Sequence, residues 1–303
     1  SVGRTLGLLC LALCLPFASA QAADIIPTRS VTANGMTVLF LEQHFLPTVE
    51  IHALVKVGSA QDPPDKAGLA NLTASLLDEG TLTRTSRQIA EQIDFVGGSL
   101  EAHAAEDFTT ASTRVLKKDA DLGFALLADM LQHPAFHKQE FERVRTQILG
   151  EIVSDDDDPG NVAMKAFHQL IFHGHPYSWP AHGTEETLTR ITVADIQQFH
   201  AREYLPNQTI LVIVGDLTQD QAATLVQTHF GSWKKGTPSP YQMKKPASIE
   251  RKMVQLIEKD LTQSTIVLGH TGISRTNPDY YAVTVMNYIL GAGGFSSRLM
   301  DSI

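Results

Sequence analysis

The chain repeats one sequence pattern at a fixed distance, and this repeat constrains the fold more than any other feature. Residues 38–58 (VLFLEQHFLPTVEIHALVKVG) align with residues 254–272 (VQLIEKDLTQSTIVLGHTG), so that Glu42 meets Glu258 at an offset of 216 residues. A proline-containing turn, a helical pattern and a glycine follow in both copies. A recurring unit of strands, turn and helix predicts duplicated α+β domains, each built from a mixed sheet with helices.

The first copy leads into a long alternation of strand and helix patterns. Asn34-Gly35 favours a type I′ turn in a first hairpin. The apolar periodicity predicts a hairpin at 31–41, strands at 48–57, 99–105, 108–115 and 208–214, and helices at 66–79, 86–96, 119–132, 138–154, 160–173, 192–202 and 219–230.

A stretch rich in proline, lysine, glycine and serine divides the chain. Residues 234–249 carry no apolar period and are predicted to be a linker. We therefore assign an N-terminal domain to residues 24–233 and the start of a second, homologous domain to residues 250–303. The first domain takes about 210 residues and the second copy only about 55, so we expect the second domain to be truncated.

The first residues have the organisation of an export signal. Arg4 precedes an apolar run at residues 6–15, Pro16 ends it, and Ala18-Ser19-Ala20 has the small-x-small form of a cleavage site. The run is too short to span a bilayer, which takes about 20 residues. We predict a signal peptide at 1–22, export to a bacterial periplasm, and no membrane insertion once the signal is removed.

Charge and cysteine content narrow the class of function. The chain has 24 lysine and arginine residues against 33 aspartate and glutamate residues, a formal charge of −9, and no basic run. This balance argues against a nucleic-acid partner or an anionic membrane surface. Both cysteines, Cys10 and Cys14, lie in the predicted signal peptide, so the mature chain is expected to contain no thiol and no disulfide.

Five stretches carry a family resemblance. They are residues 67–81 (AGLANLTASLLDEGT), 97–112 (GGSLEAHAAEDFTTAS), 141–163, 175–216 and 277–299. Together they resemble the pitrilysin/insulinase family of zinc peptidases, especially the branch of the mitochondrial processing peptidase and its small bacterial relatives. The resemblance implies a duplicated α+β fold of the processing-peptidase type, whose two halves close around a peptide.

The same resemblance identifies the positions of a zinc site. Active family members carry His-x-x-Glu-His on a helix: two histidines bind zinc, and the glutamate takes a proton from the zinc-bound water. A glutamate on a later helix completes the ligand set. In this chain Asn71 and Ser75 stand at the histidine positions, Ala74 stands at the base, and Glu151 stands at the later ligand position.

These substitutions remove the chemistry of the site. Zinc takes three protein ligands plus water, the oxygens of Asn71 and Ser75 are weak neutral ligands, and Ala74 cannot accept a proton. We therefore predict no bound zinc, no catalytic residue and no hydrolysis here. Asn71, Ser75 and Glu151 are interpreted as vestigial ligand positions, with Glu151 a charged residue on an exposed helix turn.

Two other groups of metal-binding residue types are interpreted as structural. The first contains His168, His173, His175 and His182. His168 and His173 are five residues apart and therefore misaligned on a helix, and we expect partly buried, hydrogen-bonded imidazoles. The run of aspartates at 155–158 lacks the alternating spacing of an EF-hand loop and is interpreted as a solvated junction between helices.

Two elements are candidates for binding a peptide. One comprises Leu100, Glu101, Ala102, His103, Ala104 and Ala105, which match the family strand that pairs with substrate by β-augmentation. The alternative is an ordinary sheet strand. The other is the segment 291–297, with Gly293 and Gly294, where the non-catalytic subunit of the processing peptidase has a glycine-rich substrate loop. Its alternative is a tight turn between helices.

Three functional hypotheses follow. The favoured one is an exported, non-catalytic subunit that binds peptide or unfolded protein and forms a heterodimer with a homologue whose zinc motif is intact. Zinc would then belong to that partner. The second is a free-standing metalloendopeptidase with displaced ligands, for which the histidine group is the candidate source, and the third is a peptide-binding scaffold without a catalytic partner. The first is favoured because the framework is retained and only the metal set is lost.

Overall fold

The computed structural model describes residues 26–243 and 245–302, so the predicted signal peptide lies outside the described residues. The described chain folds into one six-stranded sheet with helices. The strands are β1 (Thr28–Val31), β2 (Thr37–Glu42), β3 (Thr48–Val55), β4 (Ser99–Ala104), β5 (Thr109–Leu116) and β6 (Thr209–Gly215).

The α-helices lie mostly between β3 and β4 and between β5 and β6, with one after β6 and two near the C-terminal end. They are α1 (Leu69–Ala74), α2 (Ser86–Phe95), α3 (Ala120–Gln132), α4 (Lys138–Asp157), α5 (Pro159–Ile171), α6 (Glu185–Arg190), α7 (Val193–Glu203), α8 (Gln219–Phe230), α9 (Tyr280–Asn287) and α10 (Arg298–Ser302).

The sheet is mixed, with the strand order β1-β2-β6-β3-β5-β4. β6 comes last in the sequence but lies inside the sheet, parallel to β2 and antiparallel to β3. The N-terminal hairpin and the strand after α7 therefore belong to one sheet. β4 lies at the opposite edge from β1 and pairs only with β5 among the described strands. The predicted mixed sheet with helices is confirmed.

One face of the sheet forms the core with the helices. In β3 the alternate residues Val49, Ile51, Ala53 and Val55 are fully buried, because β-strand side chains point alternately to the two faces. They belong to a single apolar cluster that also contains side chains of α1, α3, α4, α7 and α8. The other face carries polar groups, such as the ion pair between Glu50 and Arg114.

Most predicted strands and helices have the expected positions, and side-chain caps explain several helix starts. Asp158 accepts a hydrogen bond from the Asn161 backbone N–H at 2.9 Å, with Pro159 at the first position of α5. Thr192 and Asp195 form a reciprocal capping box at α7. These starts were predictable because the capping residues lie within three residues of the helix.

The helix predicted at 66–79 is shorter than expected. Residues 64–66 form a separate 3₁₀ turn, and Gly68 enters α1 with φ = 97°. After Ala74 the backbone tightens into three-residue turns, in which Leu77 N–H donates to the Ala74 carbonyl at 3.1 Å. The apolar spacing marked the buried face correctly, but it did not reveal these two interruptions.

The type I′ turn expected at Asn34-Gly35 is wrong, although the hairpin itself forms. Gly35 has φ = 89°, but Asn34 does not have the positive φ that this turn type needs. The side chain of Asn34 instead donates to the carbonyls of Phe230 and Trp233, at 2.8 and 3.0 Å. These long-range bonds tie the hairpin to the end of α8.

The strands predicted in the second copy are not present in the structure. Within the described residues no strand follows β6, and residues 254–272 are irregular and largely exposed. A strand is stable only when a neighbour accepts its backbone hydrogen bonds, and no described strand does so here. The helix of this copy does form, as α9, and the division into domains stays a prediction. No helix in the described ranges combines the length and apolarity that a membrane crossing requires.

Candidate functional site

Helix α1 carries the vestigial zinc positions and packs against β4 and α7. Leu72 and Ala74 are fully buried in the core, whereas Asn71 and Ser75 are half-buried. The Ser75 N–H donates to the Asn71 carbonyl at 2.9 Å, so these two residues lie one helical turn apart on the same face. The structure therefore preserves the spacing of the two histidine positions.

Glu151 lies on the exposed side of α4. Its Oε1 atom accepts a hydrogen bond from Gln147 Nε2 at 3.0 Å, one turn earlier. The adjacent Ile148 and Ile152 are buried in the apolar cluster that includes Leu72 of α1. The interpretation of Glu151 as a charged residue on an exposed helix turn is confirmed, and α4 shares its core with the helix that bears the other two positions.

The side chains at these positions do not fit a zinc ion. Asn71 and Ser75 offer only neutral oxygens, and Ala74 presents a methyl group that is buried in the core. No group of three or more histidine, cysteine, aspartate or glutamate side chains within residues 26–243 and 245–302 is arranged to hold a metal ion. A single carboxylate is insufficient for zinc, so no hydrolytic step is assigned to this site.

The structure separates the four histidines. His175 is buried, accepts the Tyr177 backbone N–H on Nδ1 at 3.1 Å, and packs against Phe172, so the expectation of a buried, hydrogen-bonded imidazole is confirmed there. His168, in the last turn of α5, and His173, in the turn after it, are exposed, so the expectation is wrong for them because both residues face solvent. His182 is half-buried, and burial lowers its pKa.

The aspartate run forms the junction between α4 and α5, as expected. Asp158 caps α5, Asp155 accepts from Asn161 Nδ2 at 3.1 Å, and Asp156 pairs with Lys165 at 3.0 Å. Each of these carboxylates thus has a local partner from the first turns of α5.

Asp62 is an important residue that the sequence analysis missed. Its two carboxylate oxygens accept hydrogen bonds from the backbone N–H groups of Gly68 and Ala70, both at 2.9 Å. Burial raises the pKa of Asp62 to about 7, and the backbone hydrogen bonds oppose that rise. Gly68 has no side chain with which to cap α1, so Asp62 holds the N-terminal end of this helix.

The segment after α1 is held by ion pairs. Arg143 of α4 contacts Glu79 at 2.5 Å and Glu140 at 2.8 Å, and these carboxylates raise the pKa of the guanidinium above its usual range. Burial raises the pKa of the neighbouring Asp78. The chain is therefore held before α1 by Asp62 and after it by Arg143.

β4 presents an open edge. The Ala105 N–H donates to the Phe108 carbonyl at 2.8 Å, which makes this pair hydrogen-bonded in the β4–β5 ladder. Because hydrogen-bonded and non-hydrogen-bonded pairs alternate in antiparallel sheets, the backbone groups of Leu100, Ala102 and Ala104 point away from β5. No strand in the described part of the chain pairs with that outer edge.

The side chains of β4 divide between the two faces of the sheet. Leu100, Ala102 and Ala104 pack partly against the apolar core. Glu101 and His103 are exposed on the other face, 3.4 Å from each other, and Glu101 also accepts from Ser112. The strand assigned to peptide binding is thus an edge strand, the position in a sheet that can accept a further strand.

The glycine-rich segment forms a compact turn between α9 and α10. The Gly293 N–H donates to the Tyr288 carbonyl at 2.9 Å, and the Ser297 N–H donates to the Gly294 carbonyl at 3.0 Å. Gly294 has φ = 61°, a conformation that favours glycine. This is the tight turn between helices that was the alternative interpretation, and peptide binding by Gly293 and Gly294 stays a prediction.

Sheet, helix order and the altered motif on α1 together define a peptidase-like domain. A family model for insulinase, peptidase family M16, matches residues 37–185, and a model for the peptidase M16 inactive domain matches residues 190–303. The chain belongs to peptidase family M16, and the resemblance noted in the sequence is confirmed.

Individual relatives agree with this assignment. An uncharacterized zinc protease of Rickettsia bellii is 30% identical over 89% of this chain, and one of Mycobacterium leprae is 31% identical over 91%. These matches span 65% and 62% of the relatives' own lengths.

Solved structures show the same fold. A crystal structure of a peptidase M16 inactive domain from Pseudomonas fluorescens has a TM-score of 0.79 and 27% identity, covering 91% of this chain and 66% of that one. A protease from Helicobacter pylori has a TM-score of 0.77 and 23% identity, covering 91% of this chain and 67% of that one.

Proposed function

We propose that this protein is an exported, non-catalytic subunit that binds polypeptide and pairs with a homologous M16 peptidase whose zinc motif is intact. The observation that carries the proposal is the loss of both histidines and the base, at Asn71, Ser75 and Ala74, on a helix whose framework is otherwise kept. Residues 1–22 support export by their charge, apolar run and cleavage pattern.

Peptide binding is assigned to the open edge of β4. An extended polypeptide would receive hydrogen bonds from, and donate them to, the outward backbone groups of Leu100, Ala102 and Ala104. Pairing with a strand edge depends on backbone hydrogen bonds more than on side chains. It therefore suits peptides or unfolded proteins of varied sequence. The chain would contribute binding surface, and the partner subunit would contribute zinc and the catalytic base.

A free-standing metalloendopeptidase is less well supported. The relatives from Rickettsia bellii and Mycobacterium leprae are called zinc proteases. A site with displaced ligands would need converging side chains, yet His168 and His173 are exposed and His175 is engaged with Tyr177. A scaffold without a catalytic partner would use the same peptide-binding edge as the proposed subunit. Only a search for a partner subunit therefore distinguishes these two functions.

The edge of β4 can be tested with a single proline. Ala102→Pro removes an N–H that points away from β5, so the β4–β5 ladder is kept while one peptide contact is lost. We expect binding of a labelled, uncharged twelve-residue peptide to weaken by about tenfold, the equivalent of about 1.4 kcal/mol. Fluorescence anisotropy measures this affinity.

Ala102→Val is the matched control, because valine keeps the N–H and has a high preference for strands. We expect it to bind the peptide as the wild type does, and both variants to keep the wild-type melting temperature within a few degrees. Equal peptide affinity of the proline variant, the valine variant and the wild type would exclude β4 as the binding edge.

A further inference from the structure

A cleft of about 590 Å³ lies between the segment that precedes α1 and the turn that follows α5. Pro63 and Pro64 form one wall, while Pro176 and Pro180 stand on the other with the indole of Trp179. These side chains are rigid, and the Trp179 residue is 45% exposed. The volume lies within the range of pockets that hold small ligands or several side-chain groups.

The cleft has few groups that could pair with a charge. No lysine or arginine is among its described lining residues, and of the two histidines there, His173 and His175, the second is engaged with the Tyr177 backbone. The Asp62 carboxylate reaches the cleft, but both of its oxygens accept backbone N–H groups of α1. Ser59 and Gln169 supply neutral hydrogen-bonding groups at the lining. A neutral, mainly apolar group is therefore the complementary occupant.

A neighbouring cavity carries more charged side chains. It measures about 190 Å³, shares Ser178, Trp179 and Pro180 with the cleft, and is lined by Asp155, Asp156 and Lys165 among others. Trp179 thus lines both a cavity with three charged side chains and a cleft with one carboxylate and no lysine or arginine. The contrast provides a control within the same region of the molecule.

The cleft is continuous with the end of the open edge strand. Ser59, at the cleft, donates its N–H to the Ala105 carbonyl at 3.0 Å, and Ala60 donates to the Glu106 carbonyl at 2.9 Å. On the other side, the Tyr177 hydroxyl donates to Asp107 at 2.6 Å. Both walls therefore hold the tip of the β4–β5 hairpin, and a polypeptide that follows β4 past Ala104 arrives at the rim of the cleft.

We propose that this cleft binds one large, neutral apolar side chain, preferably aromatic, of the polypeptide that pairs with β4. The inference rests on the proposed function, because it places the occupant on a chain bound at that edge. Prolines and a tryptophan offer flat apolar surfaces against which an aromatic ring packs well. The cleft would add a preference for one side chain to a strand edge that otherwise binds peptide only through backbone hydrogen bonds.

The test uses pairs of labelled, uncharged twelve-residue peptides, which carry either phenylalanine or alanine at one position. The position of this residue is moved along the peptide from one pair to the next. Because burial of a phenylalanine side chain is favourable, we expect that at one position the phenylalanine peptide binds the full-length chain about tenfold more tightly than the alanine peptide. Trp179→Ala, which removes a wall, and Gln169→Trp, which fills the space, are expected to abolish this difference. His168→Ala, beside the neighbouring cavity, is expected to keep it.

The outcomes separate this inference from the proposed function. If the phenylalanine and alanine peptides bind equally at every position and remain sensitive to Ala102→Pro, β4 binds peptide and the cleft inference is wrong. If no peptide binds, both are wrong. If the preference persists in Trp179→Ala and Gln169→Trp, the side chain binds elsewhere and the cleft inference is again overturned. Wild-type melting temperatures of both variants establish that they are folded.

Discussion

Replacing Asn71 and Ser75 together by histidine is expected to give a chain that binds one zinc ion. The two positions lie one turn apart on α1, which is the spacing that lets two imidazoles share a metal, and Glu151 stands at the later ligand position that the family resemblance identifies. Structural zinc sites with their full ligand set bind the ion with an apparent free energy on the order of 10 kcal/mol in small peptides. Zinc content after dialysis, measured by mass spectrometry, is expected to rise to about one ion per chain.

Two control variants test whether the gain in zinc content depends on the position of the histidines and on Glu151. Arg87→His with Glu91→His places histidines at the same spacing on exposed α2, without a carboxylate ligand assigned to them, and is expected to lose its zinc on dialysis. Adding Glu151→Ala to the α1 pair is expected to remove the gain. Because Ala74 still cannot accept a proton, the zinc-loaded variant should hydrolyse no peptide. A histidine pair on α1 that binds no more zinc than the pair on α2 would contradict the claim that the site framework is retained.

Asp62→Ala is expected to lower the free energy of unfolding by about 3 kcal/mol. The substitution leaves the N–H groups of Gly68 and Ala70 buried without their acceptor, and each lost hydrogen bond to a carboxylate costs about 1.5 kcal/mol or more. Urea denaturation measures the change. Asp65→Ala, three residues away on an exposed turn, is the matched control and should change stability by less than about 0.5 kcal/mol. An Asp62→Ala variant as stable as Asp65→Ala would remove Asp62 from its capping role.

The same carboxyl group gives the protein a pH-dependent stability. The pKa of Asp62 is about 7 in the folded protein against an ordinary value of 3.8, so the folded state holds this proton more tightly than the unfolded chain. The stabilisation that this bound proton adds to the folded state is therefore present at about pH 4 and lost as the pH rises to about 7, separately from the hydrogen bonds that Gly68 and Ala70 donate to Asp62. The slope reaches at most about 1.4 kcal/mol per pH unit. Asp62→Asn is expected to remove this slope.

Local patterns predicted most of the elements because their causes lie close together in the sequence. Asp158 with Pro159 marks the start of α5, and Thr192 with Asp195 marks the start of α7. The alternation in β3 and β6 identified buried strands within about two residues of their ends. The resemblance then located the altered zinc positions, and the structure adds that Asn71 and Ser75 still share one helix face.

The features that sequence reasoning missed depend on contacts between distant residues. Asn34 bonds to carbonyls at the end of α8, which overrides the local turn preference. Asp62 caps a helix from up to eight residues before its partner, beyond the three-residue spacing of ordinary caps. The cleft beside Trp179 joins segments more than 100 residues apart, and no local pattern indicates such a cavity.

We propose that this chain supports proteolysis without performing it, and hydrolysis of an unfolded protein by the purified chain tests this proposal. We expect substoichiometric zinc, no chelator-sensitive hydrolysis by the chain alone, and cleavage once a homologue with an intact His-x-x-Glu-His motif is added to form the heterodimer. Stoichiometric zinc in the isolated chain, together with peptide cleavage that a chelator abolishes, would contradict it.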